Sequence, residues 1–318
     1  MDGWSKWCEA VKIGLMLPLG EQEKLGRALP WEALRDIALA AEEAGLDSIW
    51  AADHLIFREG STWSGIHECW TILTAVAAIT HRVEIGPMVL ALPFRNPALT
   101  AKMATALDEV SGGRLILGVG CGWHEPEFDA FDFPFDHRVG RFEEGLAVLL
   151  PLLREGRVKV EGRWHHADTE LLPRGPRPKG PPILIAGKRP RMLRLVARHA
   201  DAWNAAWYGR RQEATELVER IARLREACEA EGRDPATIAL TVGLYVHFPG
   251  VPDPWYEDPP ERAIAGSAEE VGRALADYRE LGIEHLIVHL WPSTTAAVAE
   301  LGRAAEIGRA DVRIGAHG

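Results

Sequence analysis

A charged pair, Asp53 and His54, directly follows the apolar segment SIWAA at 48–52. An imidazole can give or take a proton near neutral pH, and a neighbouring carboxylate could orient its ring. If the apolar segment is a buried strand, both side chains lie at its carboxyl end. The pair is therefore a candidate for acid–base catalysis. The plainer interpretation is an aspartate that caps a loop beside a histidine that only packs.

A run of alternating glycines lies farther along the chain and leads into the polar segment WHEPEF; the run comprises Gly118, Gly120 and Gly122. Glycine weakens a strand, and its usual reason there is the close approach of a ligand or of another stretch of backbone. A flat ring packed over this segment would explain the run. Glu127, or equally His124, could act as an acid beside such a ring, or both could belong to a lid loop.

The turn Gly187-Lys188-Arg189-Pro190 precedes the helical pattern RMLRLV. Backbone N–H groups at the start of a helix attract anions, and two neighbouring cations strengthen that attraction. The turn is a candidate phosphate site, and the alternative is a solvated basic turn.

The adjacent histidines His165 and His166 do not indicate a metal site. Neighbouring residues on a strand point to opposite faces, and no carboxylate–histidine set accompanies them. A His-x-His motif is also missing from the predicted first strand, which reads IGLMLPL. His247 and His289 fall in later predicted strands and could reach a pocket. We interpret them as barrel histidines whose hydrogen bonds are satisfied, and we predict no metal.

Apolar runs typical of buried parallel strands alternate with helical patterns along the whole chain. We predict strands near 11–19, 48–53, 83–92, 114–121, 182–187, 202–207, 238–248 and 285–291. This alternation favours an α/β fold, a single (β/α)₈ TIM-barrel domain over residues 1–318. A doubly wound sheet is disfavoured because no GxGxxG turn follows an early strand. Insertions are predicted near 123–137, 157–180 and 249–266, with a hairpin in VKVEGRWHHAD at 158–168.

Two predicted helices have apolar residues at helical spacing. Their predicted buried faces are Leu34, Ile37, Ala38 and Ala41 in one, and Leu217, Val218, Ile221 and Leu224 in the other. Ser267 with Glu270 predicts a capping box at the start of a later helix.

The net charge of −10 disfavours binding to nucleic acid or to an anionic membrane. No apolar run is long enough to cross a bilayer. The four cysteines show no CxxC spacing, and the start MDGWSKWCEA lacks the basic and apolar parts of a signal peptide. We expect a cytoplasmic protein with reduced thiols.

Three segments together resemble the bacterial luciferase-like family of flavin- and deazaflavin-dependent oxidoreductases. They are GLDSIWAADHL at 45–55, LPFRNPALTAKMATALDEVSGGRLILGVGCGW at 92–123, and PPILIAGKRPRMLRLVARHADAWN at 181–204. Their order and approximate spacing match the family, and the resemblance covers about residues 11–210. It implies a TIM barrel whose cofactor lies at the carboxyl ends of the strands.

The resemblance also implies roles for individual residues. The histidine at the position of His54 lies near the reactive face of the cofactor in deazaflavin-dependent members and acts in proton transfer. A non-proline cis peptide, here Met88–Val89, supports the central ring. The implied cofactor site comprises Asp53, Met88, Val89, Gly120, Gly122, Trp123, Ala186, Gly187, Lys188 and Arg189.

One departure bears on the substrate. Family members that oxidise sugar phosphates carry a glutamate directly after the glycine run, where this chain has Trp123. The chain is therefore not expected to oxidise a sugar phosphate.

The resemblance implies an oxidoreductase that uses coenzyme F420 to move a hydride to or from a small organic substrate, with His54, Asp53 and Glu127 as catalytic candidates. The alternative is a monooxygenase that uses reduced FMN and oxygen. A non-catalytic flavin-binding protein is less favoured, because polar groups remain at the strand ends. A homodimer is expected, and a flavin or F420 reductase could be a partner.

Overall fold

The computed structural model describes residues 11–22, 25–254 and 259–315, with side chains as far as 310. In these residues the main sheet consists of parallel strands, which we number β1 to β8, with a break inside β3. Their bounds are Lys12–Met16 (β1), Ser48–Ala51 (β2), Glu84–Pro87 and Leu90–Ala91 (β3), Leu117–Gly120 (β4), Ile183–Ala186 (β5), Ala202–Tyr208 (β6), Ala239–His247 (β7) and His285–Trp291 (β8).

The strands form a nearly closed barrel in the order β3-β2-β1-β8-β7-β6-β5-β4. The first part of β3 pairs with β2, and its second part pairs with β4 through Leu90 and Val119. A bridge between Ile85 and Leu115 adds to this closure. The predicted TIM-barrel architecture is confirmed, and the alternative of an open doubly wound sheet is wrong.

Helices follow the barrel strands and cover them from outside. Within the described residues the α-helices are Trp31–Glu43 (α1), Cys69–Ile79 (α2), Pro97–Val110 (α3), Glu125–Ala130 (α4), Arg138–Glu155 (α5), Pro190–His199 (α6), Thr215–Ala230 (α7), Ala268–Ala276 (α8) and Thr295–Gly315 (α9). Local sequence explains where two of them start. Asn96 accepts hydrogen bonds from two backbone N–H groups of α3, and the predicted capping box of Ser267 and Glu270 opens α8.

Apolar residues fill the space on both sides of the strands. Between strands and helices lie residues such as Leu34, Ile37 and Leu73. Inside the barrel, Trp50 and Ile287 belong to a second buried cluster. Because both faces of each strand are buried, the strands are continuous apolar runs in the sequence. Their positions can therefore be predicted from the sequence.

A small polar network lies inside this apolar interior. Ser48 Oγ and His285 Nε2 are 2.7 Å apart, and Trp50 Nε1 donates to the same oxygen at 2.7 Å. Burial, together with the charge of Lys12, lowers the pKa of His285 to about 3. The ring is therefore uncharged at neutral pH, which removes the cost of burying a cation.

The predicted insertions take several forms. The hairpin of the middle insertion is present, with Arg157–Glu161 paired to His166–Glu170. The first insertion contains α4. In the last, Ile264–Ala265 pairs with β7, and residues 255–258 lie outside the described part. A further hairpin, Ile56–Glu59 with Thr62–Gly65, was not predicted.

Smaller elements complete the described chain. They are the strand pair Glu21–Gln22 and Arg27–Ala28 and the 3₁₀ helices Leu92–Phe94, Arg211–Glu213, Pro235–Thr237 and Asp277–Leu281. None of the helices in the described residues is long and apolar enough to cross a membrane. Cys8 of the amino-terminal segment lies outside the described residues.

Candidate active site

A cavity of about 1410 Å³ opens at the carboxyl ends of the barrel strands. Most of the residues predicted for the site line it, namely Asp53, His54, Met88, Val89, Gly120, Gly122, Trp123, Glu127, Ala186, Gly187 and Lys188. Arg189 is exposed and is not among the lining residues. The geometry thus brings together residues that are up to 135 positions apart in sequence, from Asp53 to Lys188.

His54 is held by a buried carboxylate. Its Nδ1 lies 2.9 Å from Oε1 of Glu127, and Oε2 of the same carboxylate accepts the backbone N–H of Leu55 at 2.9 Å. The Glu127 side chain is only 1% exposed. An ionised carboxylate only accepts hydrogen bonds, so it places a proton on Nδ1 of the histidine. In the neutral ring, Nε2 is then the atom that can accept a proton.

Aromatic rings surround the other sides of His54. The ring centroid of Phe57 lies 4.4 Å away and that of Trp123 lies 5.5 Å away. His124 does not reach His54 by a hydrogen bond; its Nε2 accepts the backbone N–H of Arg58 at 3.1 Å. Of the two candidate acids after the glycine run, Glu127 contacts His54. His124 instead bonds the 56–65 hairpin through the backbone of Arg58.

The prediction that Asp53 orients the His54 ring is wrong. Both carboxylate oxygens of Asp53 accept from the Arg95 guanidinium, at 2.7 and 2.8 Å, and Oδ2 also accepts the backbone N–H of Ala91 at 2.8 Å. Arg95 bonds Glu68 as well. Asp53 is therefore a structural anchor that fixes the end of β3 against the end of β2.

The break in β3 lies where the resemblance predicts it. The peptide bond between Met88 and Val89 is cis, and Met88 N donates to Ala51 O at 2.8 Å. Both residues line the cavity. The sequence segment that interrupts the strand thus forms part of the cavity wall.

The glycine run lies where other parts of the chain approach it closely. A Cβ at Gly118 would collide with the carbonyl oxygen of Pro87, and one at Gly120 would lie 2.8 Å from Cγ2 of Val89. Gly122 has a φ of +70°, and its Cβ would lie 2.6 Å from Phe128. Glycine is required because the chain around Pro87, Val89 and Phe128 approaches the run this closely, so of the two predicted causes the structure shows the neighbouring chain. That a flat ring also packs over the run stays a prediction.

One part of the basic turn before α6 lines the cavity, and the other part faces solvent. Gly187 and Lys188 line the cavity, and Trp203 Nε1 donates to Gly187 O at 2.8 Å, which fixes the turn. Arg189 is the N-cap residue of α6. An anion at this helix start would meet backbone N–H groups and the Lys188 ammonium.

A cluster of aromatic side chains on β6 to β8 was not assigned a function from the sequence. Trp207, Tyr245, His289 and Trp291 all line the cavity. Burial lowers the pKa of His289 to about 4, so the ring is neutral at physiological pH. It makes no hydrogen bond to any residue in the described ranges, which makes the interpretation as a satisfied barrel histidine wrong. Its i, i+2 spacing from Trp291 could have indicated a shared face.

The histidine pair of the hairpin is remote from this site. His166 is exposed and bonds Glu161, with Nδ1 and Oε2 2.7 Å apart. The described residues contain no group of three or more His, Cys, Asp or Glu side chains that could hold a metal ion.

Residues 11–249 match the model of a family described as luciferase-like monooxygenase. The chain belongs to the luciferase-like monooxygenase family. The resemblance seen in the sequence is therefore confirmed. This family comprises oxidoreductases that use F420 or FMN.

Luciferase-like relatives of this chain carry the names of different enzymes. The phthiodiolone/phenolphthiodiolone dimycocerosates ketoreductase of Mycobacterium tuberculosis is 32% identical over 67% of this chain and 60% of its own length. Pyrimidine monooxygenase RutA of Methylorubrum extorquens is 30% identical over 73% of this chain and 64% of its own length. The chain thus spans less than two thirds of the length of these relatives.

Solved structures show the same luciferase-like fold at lower identity. An F420-dependent secondary alcohol dehydrogenase in complex with an F420-acetone adduct superposes with a TM-score of 0.76, at 19% identity, over 94% of this chain and 99% of the other. The structure of riboflavin lyase (RcaE) with modified FMN and riboflavin also superposes with a TM-score of 0.76. It is 16% identical, and the match covers 95% of this chain and 92% of the other.

Proposed function

We propose that this chain is an F420-dependent oxidoreductase that moves a hydride to or from a small organic substrate. The observation that carries the proposal is His54 at the edge of the cavity, held at Nδ1 by the buried carboxylate of Glu127. This arrangement supports proton transfer at Nε2, and the deazaflavin-dependent members that the sequence resembles place a histidine at this position. Trp123, Met88 and Val89 line the same cavity.

The residues around the cavity fit a deazaflavin. Met88, Val89 and Ala186 offer an apolar surface for a flat ring, and Lys188 lies at the helix start that would receive a phosphate. Coenzyme F420, when bound, supplies or accepts the hydride at a ring carbon and does not activate oxygen.

The role of His54 follows from its two nitrogens. When a substrate alcohol is oxidised, the unprotonated Nε2 accepts the hydroxyl proton while the hydride leaves the carbon. In the reverse direction the same atom returns the proton to the carbonyl oxygen. Glu127 stabilises the imidazolium between these steps, because a buried carboxylate interacts strongly with a nearby cation. The rings of Phe57 and Trp123 pack beside the His54 ring.

A reductive assay tests this proposal. Reduced F420 is incubated anaerobically with the protein and a panel of ketones and aldehydes, and the return of oxidised F420 absorbance is measured. We expect substrate-dependent oxidation without oxygen. Failure of every carbonyl compound, together with incorporation of oxygen into a substrate that requires both reduced FMN and the protein, would contradict the proposal.

The second candidate is an FMN-dependent monooxygenase, favoured by the 30% identity to pyrimidine monooxygenase RutA. It would use the same cavity and the same basic turn, and it would need a reductase partner to supply reduced FMN. In that case His54 would not be needed for proton transfer to a carbonyl oxygen.

The proposal includes a homodimer. Leu99 and Val110 of α3 are 55% and 49% exposed, and their separation of 11 residues places them on the same side of the helix. An apolar side of this kind is available for contact with a second copy.

A further inference from the structure

One side of the cavity is covered by four rings, which we call the aromatic wall: Trp207 of β6, Tyr245 of β7, and His289 and Trp291 of β8. The Trp207 and Tyr245 rings are stacked, with centroids 5.3 Å apart and planes 17° apart. His289 lies 4.1 Å from Trp291, 5.6 Å from Trp207 and 5.8 Å from Tyr245. The four rings therefore form one continuous surface.

The barrel places these rings together through strand register. Tyr245 pairs with His289, and His247 pairs with Trp291, so Tyr245 and His289 point to the same side of the sheet. On β6 the pairing with β7 shifts between Ala205 and Tyr208, next to Trp207. The wall thus belongs to β6, β7 and β8, whereas Met88, Val89 and the basic turn belong to β3 and β5.

The cavity has room for more than one molecule. Ligand pockets of roughly 300–1,000 Å³ hold one small ligand, and this cavity measures about 1410 Å³. A ring supported by Met88 and Val89 next to β3 leaves the part of the cavity at β6 to β8, where the aromatic wall lies, for a second molecule.

The surroundings of the aromatic wall disfavour a charged ligand. Arg220, a buried cation of the cavity lining, is already engaged by the Tyr208 hydroxyl and by Glu216. Arg262 donates to the backbone oxygen of Trp207 at 3.0 Å, and its positive charge disfavours a cationic ligand. Because Arg262 is exposed to solvent, its charge is screened and attracts an anion only weakly. The rings also stack on each other and leave no gap between Trp207 and Tyr245 for a cation to occupy.

His289 provides the polar contact of the wall. Its pKa is lowered to about 4 by burial, so the imidazole stays neutral and keeps one N–H donor and one unprotonated nitrogen. Neither nitrogen bonds a described residue, so both are available to a ligand. Aromatic surface with one donor and one acceptor fits a flat, uncharged ring with a polar substituent.

We propose that the aromatic wall is the substrate subsite, and that the substrate is an uncharged aromatic molecule whose hydroxyl or carbonyl group hydrogen-bonds to His289. This inference rests on the proposed function for the identity of the reaction. The ring of the substrate stacks on the free face of the Trp207–Tyr245 pair, and its polar group is fixed relative to the cofactor side of the cavity.

The experiment measures binding of three probes by calorimetry: 2-naphthol, decahydro-2-naphthol and 2-naphthoate. They share a size but differ in aromatic character or charge. We expect 2-naphthol to bind and the saturated and charged probes to bind at least about fivefold more weakly. Tyr245→Leu should weaken 2-naphthol binding by about two- to tenfold, since one aromatic pair contributes about 0.5–1.5 kcal/mol. Phe131→Leu, an exposed ring outside the cavity, is the matched control and should bind normally.

His289→Leu should weaken 2-naphthol binding as well, and with wild-type protein the affinity should be constant from pH about 8 to about 5, because His289 stays neutral. Equal binding of all three probes, or normal binding by both wall variants, would overturn the subsite.

Titration of the same variants with F420 and FMN separates the two proposals. Unchanged cofactor affinity in Tyr245→Leu and His289→Leu supports a separate substrate subsite. Loss of cofactor affinity would assign the wall to the cofactor and overturn the inference while leaving the proposed function intact. If the protein binds 2-naphthol at the wall but neither cofactor, the proposed function fails and the subsite stands.

Discussion

At the scale of single residues, the site depends on two carboxylates with different duties. Glu127 contacts His54, whereas Asp53, the nearer neighbour in sequence, is fully engaged by Arg95 and the backbone of Ala91. Sequence adjacency therefore pointed to the wrong partner. The correct one lies 73 residues away, and only the barrel brings it close.

The first prediction concerns His54. Removing a general acid–base group typically costs about 10²–10⁴-fold in rate. We expect His54→Ala to lower kcat by this amount and to leave the dissociation constant of F420 nearly unchanged, because the ring is not part of the anion site. Steady-state kinetics and a fluorescence titration measure the two effects.

Glu127→Gln keeps the size of the side chain and tests whether Glu127 positions the His54 ring. A glutamine has one acceptor oxygen for two donors, Nδ1 of His54 and the N–H of Leu55, so kcat should fall while KM changes little. Normal turnover in His54→Ala would remove both residues from the mechanism.

The second prediction concerns Asp53. Its side chain is fully buried and pairs with Arg95, and removing one partner of a buried ion pair costs about 3–5 kcal/mol. We expect Asp53→Asn to lower the free energy of unfolding by an amount near this range, as measured by urea denaturation. Asp36→Asn, which breaks the exposed pair with Arg35, should cost less than about 1 kcal/mol. Equal effects of the two substitutions would show that Asp53 is not an anchor.

At the scale of elements, the alternation of apolar runs predicted the eight barrel strands because each is buried on both faces. Helix faces were predicted less well. Leu217, Ile221 and Leu224 are buried as expected, but Val218 is 49% exposed, which makes its assignment to the buried face wrong. The hairpin at 56–65 was missed because its residues are partly exposed and carry no apolar alternation.

The third prediction follows from the contact between β3 and β4. A methyl group at Gly118 would meet the carbonyl oxygen of Pro87, and overpacking of this kind costs about 1–3 kcal/mol. We expect Gly118→Ala to lower the free energy of unfolding and to weaken cofactor binding by displacing Met88 and Val89. Gly250→Ala, where a Cβ meets nothing within 4 Å, should leave both unchanged. A stable Gly118→Ala protein with normal binding would contradict this explanation of the glycine run.

At the scale of the whole molecule, the family and the barrel could be predicted from local patterns, because strand burial and short motifs are encoded in contiguous residues. The roles of Asp53, Glu127 and His289 could not, because they depend on which distant side chains meet. The cause of the glycine run was also hidden, since the sequence does not say whether a ligand or a neighbouring strand makes the close approach.

The fourth prediction concerns stability against pH. An unfolded histidine binds a proton as the pH falls through about 6.5, whereas burial lowers the pKa of His285 to about 3 and that of His289 to about 4. At these two residues the unfolded state therefore binds more protons than the folded state as the pH falls below about 6.5. Both residues thus lower the free energy of unfolding over this pH range.

Urea denaturation at pH about 7.5 and about 5 measures this loss. His285→Gln, which keeps a polar group beside Ser48, should show a smaller difference between the two pH values than the wild type. An equal difference in both proteins would show that His285 does not contribute.

The central claim is that the cavity binds a deazaflavin beside His54. The most direct test is a competition titration in which the purified protein receives F420 and FMN, and the fluorescence of each cofactor is followed. We predict that F420 binds more tightly than FMN, that Lys188→Ala weakens F420 binding, and that the loss is smaller at high salt because exposed charge is screened. Tight binding of FMN with no measurable binding of F420 would contradict the claim.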